Sequence, residues 1–332
     1  MPDYDDEEQY EEQEEQEEQE EEEPQAEETQ EHTWQYSTCG GNKKAFLVGV
    51  NYPGSSAPLN GCINDVQNIK EFLLSRGYEE ENMRILTDDQ EDEELIPTKA
   101  NMLDGMRWLV EDAAPNDSLF FHFSGHGVPV KDEDGDEEDG NDEAICPSDH
   151  EEEGNIVDDT MHDILVSPLP VGCRLTVIFD CCHSGSGIDL PYTYRDTGAI
   201  REPSKEEQLE ALKHHAMRGD TDALTGQVEA LKLVESGEAA KAAELTKATK
   251  HSDADVIFFS GCLDAQTSAD ATIRDKATGA LSHAFREVLN ENPNPSYKEL
   301  LVGIRAIISQ SYDQIPQLSS SHPYDIDLEF VI

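Results

Sequence analysis

The stretch that decides the fold is Arg174–Gly187, with the sequence RLTVIFDCCHSGSG. Its run of strand-forming residues, Leu175–Phe179, passes directly into a loop of small and polar residues. In an open α/β sheet, reactive side chains lie just beyond the carboxyl ends of the strands. The stretch therefore predicts a buried strand that presents Cys181 and Cys182 at one edge of a sheet.

A second stretch, Ser118–Gly127 or SLFFHFSGHG, has the same order of residue types. Its apolar strand, Leu119–Phe123, ends in a Gly- and Ser-containing loop that holds His126. We expect the ends of the two strands to lie side by side, which would bring a thiol next to an imidazole. An imidazole raises the thiolate fraction of a cysteine and can later protonate a leaving amine. The pair predicts nucleophilic catalysis, with Cys182 as nucleophile and His126 as acid and base.

The neighbours of this pair suggest further roles. Gly125 and Gly127 permit a tight turn and close approach of a substrate, and the backbone N–H groups of Gly127 and Cys182 are candidates to bind a developing oxyanion. Adjacent residues of an extended chain face opposite ways, so we expect Cys181 to point inward. A zinc site made of Cys181, Cys182 and His183 is an alternative, although the spaced ligand pairs of zinc sites are missing.

Strands and helices alternate along the rest of the chain, which is typical of a mostly parallel sheet with right-handed crossovers. Further strands are predicted at Ala45–Val50, Met83–Leu86, Val256–Phe259 and Ile326–Ile332. Helices are predicted from about Ile63 to Gly77, after the capping residue Thr98, from Val157 to Val166, and at Gly279–Leu289 and Tyr297–Ile308. A helical segment rich in Ala, Glu, Lys and Leu, Lys205–Lys250, interrupts the alternation.

The chain is strongly acidic. Its 332 residues carry a formal net charge of −51, and 18 of the 74 Asp and Glu residues lie in residues 1–32, which contain no Lys or Arg. This Glu/Gln tract cannot form a core, so we expect a disordered tail that either solvates the protein or competes with basic substrates. Because phosphate binding needs clustered basic residues, the charge argues against nucleic acid and favours basic peptides or divalent cations.

Cysteine usage and hydropathy bear on the compartment. Seven scattered cysteines fit reduced thiols in the cytosol. The sequence contains no run of about 18 apolar residues, so we expect no membrane helix. The N-terminus lacks a signal-peptide pattern. We expect a cytoplasmic protein, with the nucleus as the alternative, and no membrane partner. The large net charge favours a monomer.

Two motifs, SGHG at Ser124–Gly127 and DCCHSG at Asp180–Gly185, resemble the catalytic motifs of the metacaspases, cysteine endopeptidases with the caspase fold. The segments GCIND at Gly61–Asp65 and PSD at Pro147–Asp149 occur in the order found in that family. The insert with PYTYRDTGAIREP resembles the type I, fungal-like branch. The resemblance extends over about Lys44–Ile332.

This resemblance implies a caspase-like three-layer α/β sandwich around a mostly parallel six-stranded sheet, with His126 and Cys182 as the catalytic dyad. It divides the chain into a disordered acidic tail at 1–40, a large catalytic portion at 41–190, a helical insert with candidate processing sites at 191–252 and a small portion that completes the sheet at 253–332. In the family, stress responses, protein quality control and programmed cell death are the associated processes.

The resemblance also implies a primary specificity pocket made by Cys62, Asp65, Ser124 and Asp180. Two carboxylates near the scissile bond would pair with an Arg or Lys side chain and repel Asp. The alternative for Asp65 is compensation of the positive helix N-terminus. Asp180 could instead orient the loop through backbone N–H groups.

The stretch Lys131–Asp149 is predicted to be an acidic loop, which is either a solvated charge run or a calcium site, since hard cations need several carboxylate oxygens. It is not an EF-hand, because Glu137 would fall where such a loop that began at Asp132 requires glycine. The resemblance implies a composite calcium site instead. Its ligands are expected to be Asp142, Asp158, Asp159 and Asp189.

We therefore expect a calcium-dependent cysteine endopeptidase that cleaves protein or peptide substrates after Arg or Lys. Such an enzyme would also cut itself in the basic insert, for which the candidate residues are Arg195, Arg201, Lys205, Arg218, Lys232, Lys247 and Lys250. The alternatives are a non-catalytic scaffold that binds calcium or basic proteins, and a caspase-fold peptidase of other specificity.

Overall fold

The computed structural model describes residues 34–132, 134–181, 185–195, 197, 199–201, 205, 209, 212–213, 221–261, 270–273, 276–312 and 314–332. The Glu/Gln tract of residues 1–32 and the predicted site residues Cys182, His183 and Arg218 lie outside this part of the chain. Among the described residues, no helix is both long enough and apolar enough to cross a membrane.

The described strands, in chain order, are β1 (Lys43–Gly49), β2 (Met83–Thr87), β3 (Ser118–Ser124), β4 (Gly127–Lys131), β5 (Asn141–Ile145), β6 (Ile156–Val157), β7 (Arg174–Asp180), β8 (Tyr192–Tyr194), β9 (Asp255–Ser260), β10 (Asp270–Ile273), β11 (Lys276–Gly279) and β12 (Gln317–Ser320). The helices are α1 (Cys62–Ser75), α2 (Lys99–Val110), α3 (His150–Glu153), α4 (Asp158–Leu165), α5 (Thr221–Ser236), α6 (Glu238–Thr249), α7 (Ala280–Glu291) and α8 (Tyr297–Ile308).

The central sheet has the order β2-β1-β3-β7-β9-β12-β8. Its first five strands are parallel, and β12 runs antiparallel to both β9 and β8. The predicted mostly parallel sheet is confirmed. The described sheet has seven strands rather than six, because the short segment Tyr192–Tyr194 pairs with the outer side of β12.

Both faces of the sheet are covered, which makes the fold a three-layer sandwich. Every residue of β3 and β7 is buried, as expected for parallel strands with helices on both sides. One apolar core contains Met102, Met106 and Leu109 of α2 together with Leu165 of α4. The core on the opposite face is formed with α1, α7 and α8.

A three-stranded antiparallel sheet, β4-β5-β6, follows the predicted histidine loop. It includes β5, which lies inside the stretch that we interpreted as an acidic loop. That interpretation was wrong for Asn141–Ile145, where Asp142 pairs with Val130 and Ala144 with Val128 across the ladder. Apolar residues on β4 and at the end of β5 favour the pairing in spite of the surrounding charge.

The helical segment predicted at Lys205–Lys250 is interrupted at Gly237. Gly237 has a φ of 81° and separates α5 from α6. A left-handed residue of this kind ends an α-helix, and glycine adopts the conformation without steric cost. The described part of this segment therefore contains two helices, α5 and α6, which are separated at Gly237.

The predicted final strand Ile326–Ile332 is not a strand; the last strand is β12. The C-terminal segment instead forms hydrogen bonds with the N-terminus of α8. The carbonyls of Leu328 and Ile326 accept hydrogen bonds from Tyr297 N and Lys298 N at 3.1 and 2.9 Å. Helix N-termini have unsatisfied N–H groups, so this contact gives the segment a position outside the sheet.

The disordered tail was predicted to include residues 1–40, but residues 34–40 pack on the folded part of the chain. The Trp34 ring stacks on His322 with centroids 4.3 Å apart, and Tyr36 contacts Tyr324 edge-on at 4.6 Å. Ser37 N also donates to Asp255 Oδ2 at 2.7 Å. Two aromatic residues supply enough apolar surface to order this segment.

Candidate active site

The ends of β3 and β7 lie side by side, as predicted. Ser124 and Asp180, the last residues of the two strands, are direct partners across the parallel ladder. His126 follows β3 by two residues, and Cys182 follows β7 by two residues but lies outside the described residues. The strand ends that precede the two predicted catalytic residues in the sequence therefore lie next to each other at the same edge of the sheet.

Tyr52 and a carbonyl group hold His126 in place. The backbone N–H of His126 donates to the Tyr52 hydroxyl at 2.9 Å, and this hydroxyl donates to Cys146 O at 2.6 Å. His126 Nε2 lies 2.6 Å from Ala57 O. Because a carbonyl oxygen can only accept, Nε2 carries the proton in this contact. Nδ1 is then the basic nitrogen of the neutral ring.

Glycine is required between β3 and His126. A Cβ atom on Gly125 would lie 2.6 Å from Phe123 Cζ and 2.8 Å from the Tyr52 hydroxyl. Both distances are below van der Waals contact. The SGHG sequence thus allows the tyrosine to reach the histidine backbone.

The two residues predicted beside the dyad have distinct positions. Cys181 is only 1% exposed, which confirms that it points inward. Cys146 N donates to His126 O at 3.0 Å, and Gly127 lies opposite Ile145. Since antiparallel pairs alternate between bonded and non-bonded types, the Gly127 N–H points away from β5. This orientation is compatible with the predicted oxyanion role.

Three of the four predicted pocket residues converge at one point. Asp65 in the first turn of α1 is completely buried. It accepts a hydrogen bond from the Ser124 hydroxyl at 2.8 Å, and both of its carboxylate oxygens lie 2.9 Å from Gly279 N. Asp65 therefore connects α1 to β3 and β11, a role beyond compensation of its own helix.

Asp180 lies on the other side of Gly279. It is 4% exposed and accepts a hydrogen bond from Ser282 N at 2.7 Å. A Cβ atom on Gly279 would be 2.2 Å from Asp180 Oδ2. Cys62 is also buried and lies one helical turn before Asp65. Backbone N–H groups thus donate hydrogen bonds to both carboxylates in this conformation.

An acidic cluster, which we define as Asp136, Asp159 and Asp189, lies where a calcium site was predicted. One carboxylate oxygen from each residue falls within 4.8 Å of the others. The ammonium of Lys250 forms ion pairs with all three: 3.0 Å to Asp189, 3.4 Å to Asp136 and a shorter contact to Asp159. Burial raises the pKa of Asp136 to about 7 and that of Asp189 to about 6.

A second group of carboxylates, from Glu137, Glu143 and Asp158, adjoins this cluster. The hydroxyl of Ser186 donates to Glu143 and lies 3.4 Å from Glu137. Burial, with a contribution from the nearby Asp189 carboxylate, raises the pKa of Asp158 to about 9.

The four predicted calcium ligands are therefore divided. The structure brings Asp159 and Asp189 together, places Asp158 in the adjoining group and leaves Asp142 outside both groups. Burial raises the pKa of Asp142 to about 6, with a contribution from Asp132. Sequence reasoning missed Asp136 because the stretch around it offers many equivalent carboxylates, and only the path of the chain selects among them.

Comparison with known proteins agrees with this site. A family model described as "Metacaspase, peptidase C14 domain" matches residues 43–191. Metacaspase-1 of Schizosaccharomyces pombe is 50% identical over 306 residues, which cover 90% of this chain and 72% of the relative. Metacaspase-1 of Eremothecium gossypii is 52% identical over 308 residues, with 90% and 68% covered.

Among solved structures, the crystal structure of protein GSU0716 from Geobacter sulfurreducens has a TM-score of 0.56 at 20% identity and covers 87% of this chain and 97% of its own. That likeness supports the fold alone. The fold, the His126 loop and the DCCHSG motif define a cysteine-type endopeptidase. The chain belongs to the metacaspase family.

Proposed function

We propose that this protein is a calcium-activated endopeptidase that cleaves after Arg or Lys. The observation that carries the specificity is the convergence of Asp65, Ser124 and Asp180 beside the His126 loop. Two buried carboxylates in one place favour a cationic side chain, and a guanidinium can bind a carboxylate through two parallel hydrogen bonds. The same charges would repel an acidic residue.

The residues have complementary roles in peptide cleavage. His126 Nδ1 takes the proton of the Cys182 thiol, and the thiolate attacks the scissile carbonyl carbon. Ala57 O stabilises the imidazolium through Nε2–H and keeps the ring oriented. The imidazolium then protonates the leaving amine, and a water molecule activated by His126 hydrolyses the thioester. The N–H groups of Gly127 and Cys182 stabilise the oxyanion in both steps.

A panel of reporters that end in Arg, Lys, Asp or Asn tests the specificity. We expect hydrolysis of the Arg and Lys reporters by the full chain and none by a Cys182→Ala variant. Asp65→Asn or Asp180→Asn should lower kcat/KM for the Arg reporter about thirtyfold or more, because loss of one partner of a buried charge pair costs about 2–5 kcal/mol. Asp104→Asn, at a residue with a largely exposed side chain, is the control. Equal kcat/KM for Arg and Asp reporters contradicts the proposal.

Calcium fits the donor set of the acidic cluster. Asp136 Oδ2 and Asp189 Oδ1 are buried oxygens that accept no hydrogen bond from an N–H or hydroxyl group in the described part of the chain, and hard cations prefer oxygen ligands. Asp136, Asp159 and Asp189 would hold the ion, with Asp142 and Asp158 close by. Bound calcium would supply positive charge that neutralises these carboxylates and ties together three chain segments. Activity that survives complete calcium removal by a chelator contradicts this part of the proposal.

Self-processing in the basic insert follows from the proposed specificity. The side chain of Lys247 at the end of α6 is 35% exposed, whereas that of Lys250 is 11% exposed. Cleavage after Lys250 therefore requires its side chain to leave the acidic cluster first. Incubation with calcium followed by sequencing of new N-termini identifies the cleaved bonds. Fragments that also form from the Cys182→Ala protein point to a contaminating protease.

We also propose that the protein acts in the reducing environment of the cytoplasm. The five cysteines in the described part of the chain, Cys39, Cys62, Cys146, Cys173 and Cys181, are buried. Burial raises the pKa of the Cys173 thiol to about 12, which keeps it protonated and unreactive. The nucleophile therefore does not compete with this thiol for oxidants or metals.

A further inference from the structure

The acidic cluster already contains a cation, which is the ammonium group of Lys250. This residue directly follows α6, and its side chain is 11% exposed. It is the cation that ion-pairs with Asp136, Asp159 and Asp189 together. The cluster therefore has a built-in counter-charge that comes from the helical insert.

Two buried carboxylate oxygens in the cluster accept no hydrogen bond from the N–H and hydroxyl groups of the described residues. Asp189 is 2% exposed, and its Oδ1 accepts no hydrogen bond from an N–H or hydroxyl group of the described residues; its carboxyl group also lies within hydrogen-bond distance of that of Glu137. The second oxygen is Oδ2 of Asp136, which is 5% exposed and meets Lys250 only at 3.4 Å. Buried carboxylate oxygens without partners are costly. An ammonium has three donors, which cannot satisfy all of the oxygens here, whereas a divalent cation binds six to eight oxygens.

We propose that Lys250 is an intramolecular counter-cation that divalent metal must displace from the acidic cluster. This inference rests on the proposed calcium dependence and specifies its regulation. The ammonium lies among the carboxylates of Asp136, Asp159 and Asp189 that a metal ion would bind, and two cations at that distance repel each other. Metal binding and the position of Lys250 are therefore mutually exclusive.

The exchange also acts on the insert. Lys250 N donates to Thr246 O at 2.8 Å in the last turn of α6, and Lys250 O lies 3.1 Å from His162 Nε2 on α4. Departure of the lysine side chain removes the ion pairs that hold the end of α6 against the Asp189 loop. Metal binding is thereby coupled to release of the segment that connects α6 to β9.

Calcium affinity measured by isothermal titration of the full chain tests the competition. All proteins carry Cys182→Ala, which prevents self-cleavage, and all keep the acidic tail, so that weak binding to the tail is a common background. We expect Lys250→Met to raise calcium affinity at least about tenfold over the parent. Lys250→Arg keeps the charge and should stay within about threefold. Lys247→Met is the matched control and should have the affinity of the parent. It removes a lysine in the last turn of α6 that ion-pairs with Glu244.

The binding must also be located. Adding Asp189→Asn to Lys250→Met should abolish the gain in affinity. Thermal unfolding is a second measurement: without calcium, Lys250→Met should melt below Lys247→Met, and calcium should raise its Tm by more. If Lys250→Met is unfolded without calcium, recovery of its circular dichroism spectrum on addition of calcium supports the proposal, and failure to recover overturns it.

The outcomes separate this inference from the proposed function. Equal calcium affinity for the parent, Lys250→Met and Lys247→Met overturns the competition but leaves calcium activation intact. Weaker binding by Lys250→Met also overturns it, because the lysine would then support the site. No calcium binding by any of the proteins beyond that of the tail overturns the calcium part of the proposed function, and the inference with it.

Discussion

A buried ion pair joins the starts of two central strands. Arg174 at the start of β7 and Asp255 at the start of β9 are partners across the ladder. Arg174 Nη2 lies 2.7 Å from Asp255 Oδ2, and both side chains are fully buried. The guanidinium also donates to the Tyr324 hydroxyl at 2.7 Å and to Val331 O at 2.9 Å. One side chain thus connects the sheet to the C-terminal segment.

Removal of Arg174 leaves the Asp255 carboxylate buried without its cation. Loss of one partner of a buried pair costs about 3–5 kcal/mol, so Arg174→Met should lower the free energy of unfolding by that amount. The exposed pair Arg84–Asp104 is the matched control. Its closest contact is 3.4 Å and the Asp104 side chain is 68% exposed, so Arg84→Met should cost less than about 1 kcal/mol.

Urea unfolding followed by circular dichroism measures both variants. With an m-value of about 2–3 kcal/mol/M, the midpoint of Arg174→Met should fall by about 1–2.5 M. Replacement of both partners, Arg174→Met with Asp255→Leu, should recover part of the loss because no unpaired charge remains. The reasoning is refuted if Arg174→Met is no less stable than Arg84→Met at the same m-value.

Three further predictions concern residues near the site and in the core. Burial lowers the pKa of His122 to about 3. As the pH falls, the unfolded chain therefore binds a proton at this residue before the folded protein does, and the free energy of unfolding decreases. In urea unfolding, His122→Gln should make the decrease between pH 7 and 5 smaller by about 2 kcal/mol. A Cβ on Gly105 would lie 2.2 Å from Phe46 Cζ, so Gly105→Ala should cost about 1–3 kcal/mol by overpacking, and an unchanged Tm contradicts this. Tyr52→Phe removes the hydroxyl that accepts His126 N–H and should lower kcat with little change in KM; an unchanged kcat shows that Tyr52 does not position the histidine.

Much of the fold follows from local sequence signals. The apolar runs predicted β3, β7 and β9 to within one residue at each end, and the helix α8 is Tyr297–Ile308 as predicted. These elements have strong patterns, because parallel strands buried on both faces are continuous apolar runs. The predicted cap Thr98 accepts a hydrogen bond from Asn101 N. Local chemistry decided these elements.

The errors arose where distant contacts decide the structure. The C-terminal segment has an apolar content typical of a strand, yet it satisfies N–H groups at the start of α8. The role of Lys250 was equally invisible, since nothing in its local sequence distinguishes it from Lys247. Its ion pairs depend on residues 61 to 114 positions away in the chain, and only tertiary structure brings them together.

In this conformation, the protein's own groups contact both the predicted pocket and the acidic cluster. Gly279 N donates a hydrogen bond to Asp65 in the predicted pocket, and the Lys250 ammonium forms an ion pair with Asp189 in the cluster. Asp189 lies seven residues after Cys182 in the sequence, so a change at the cluster acts on the same loop that carries the nucleophile. The chain between Lys250 and Gly279 contains β9, which pairs with β7. The proposed exchange of Lys250 for a metal ion would therefore act on both sides of β7, the strand that precedes the predicted nucleophile, and would give a physical route from cation binding to the predicted pocket.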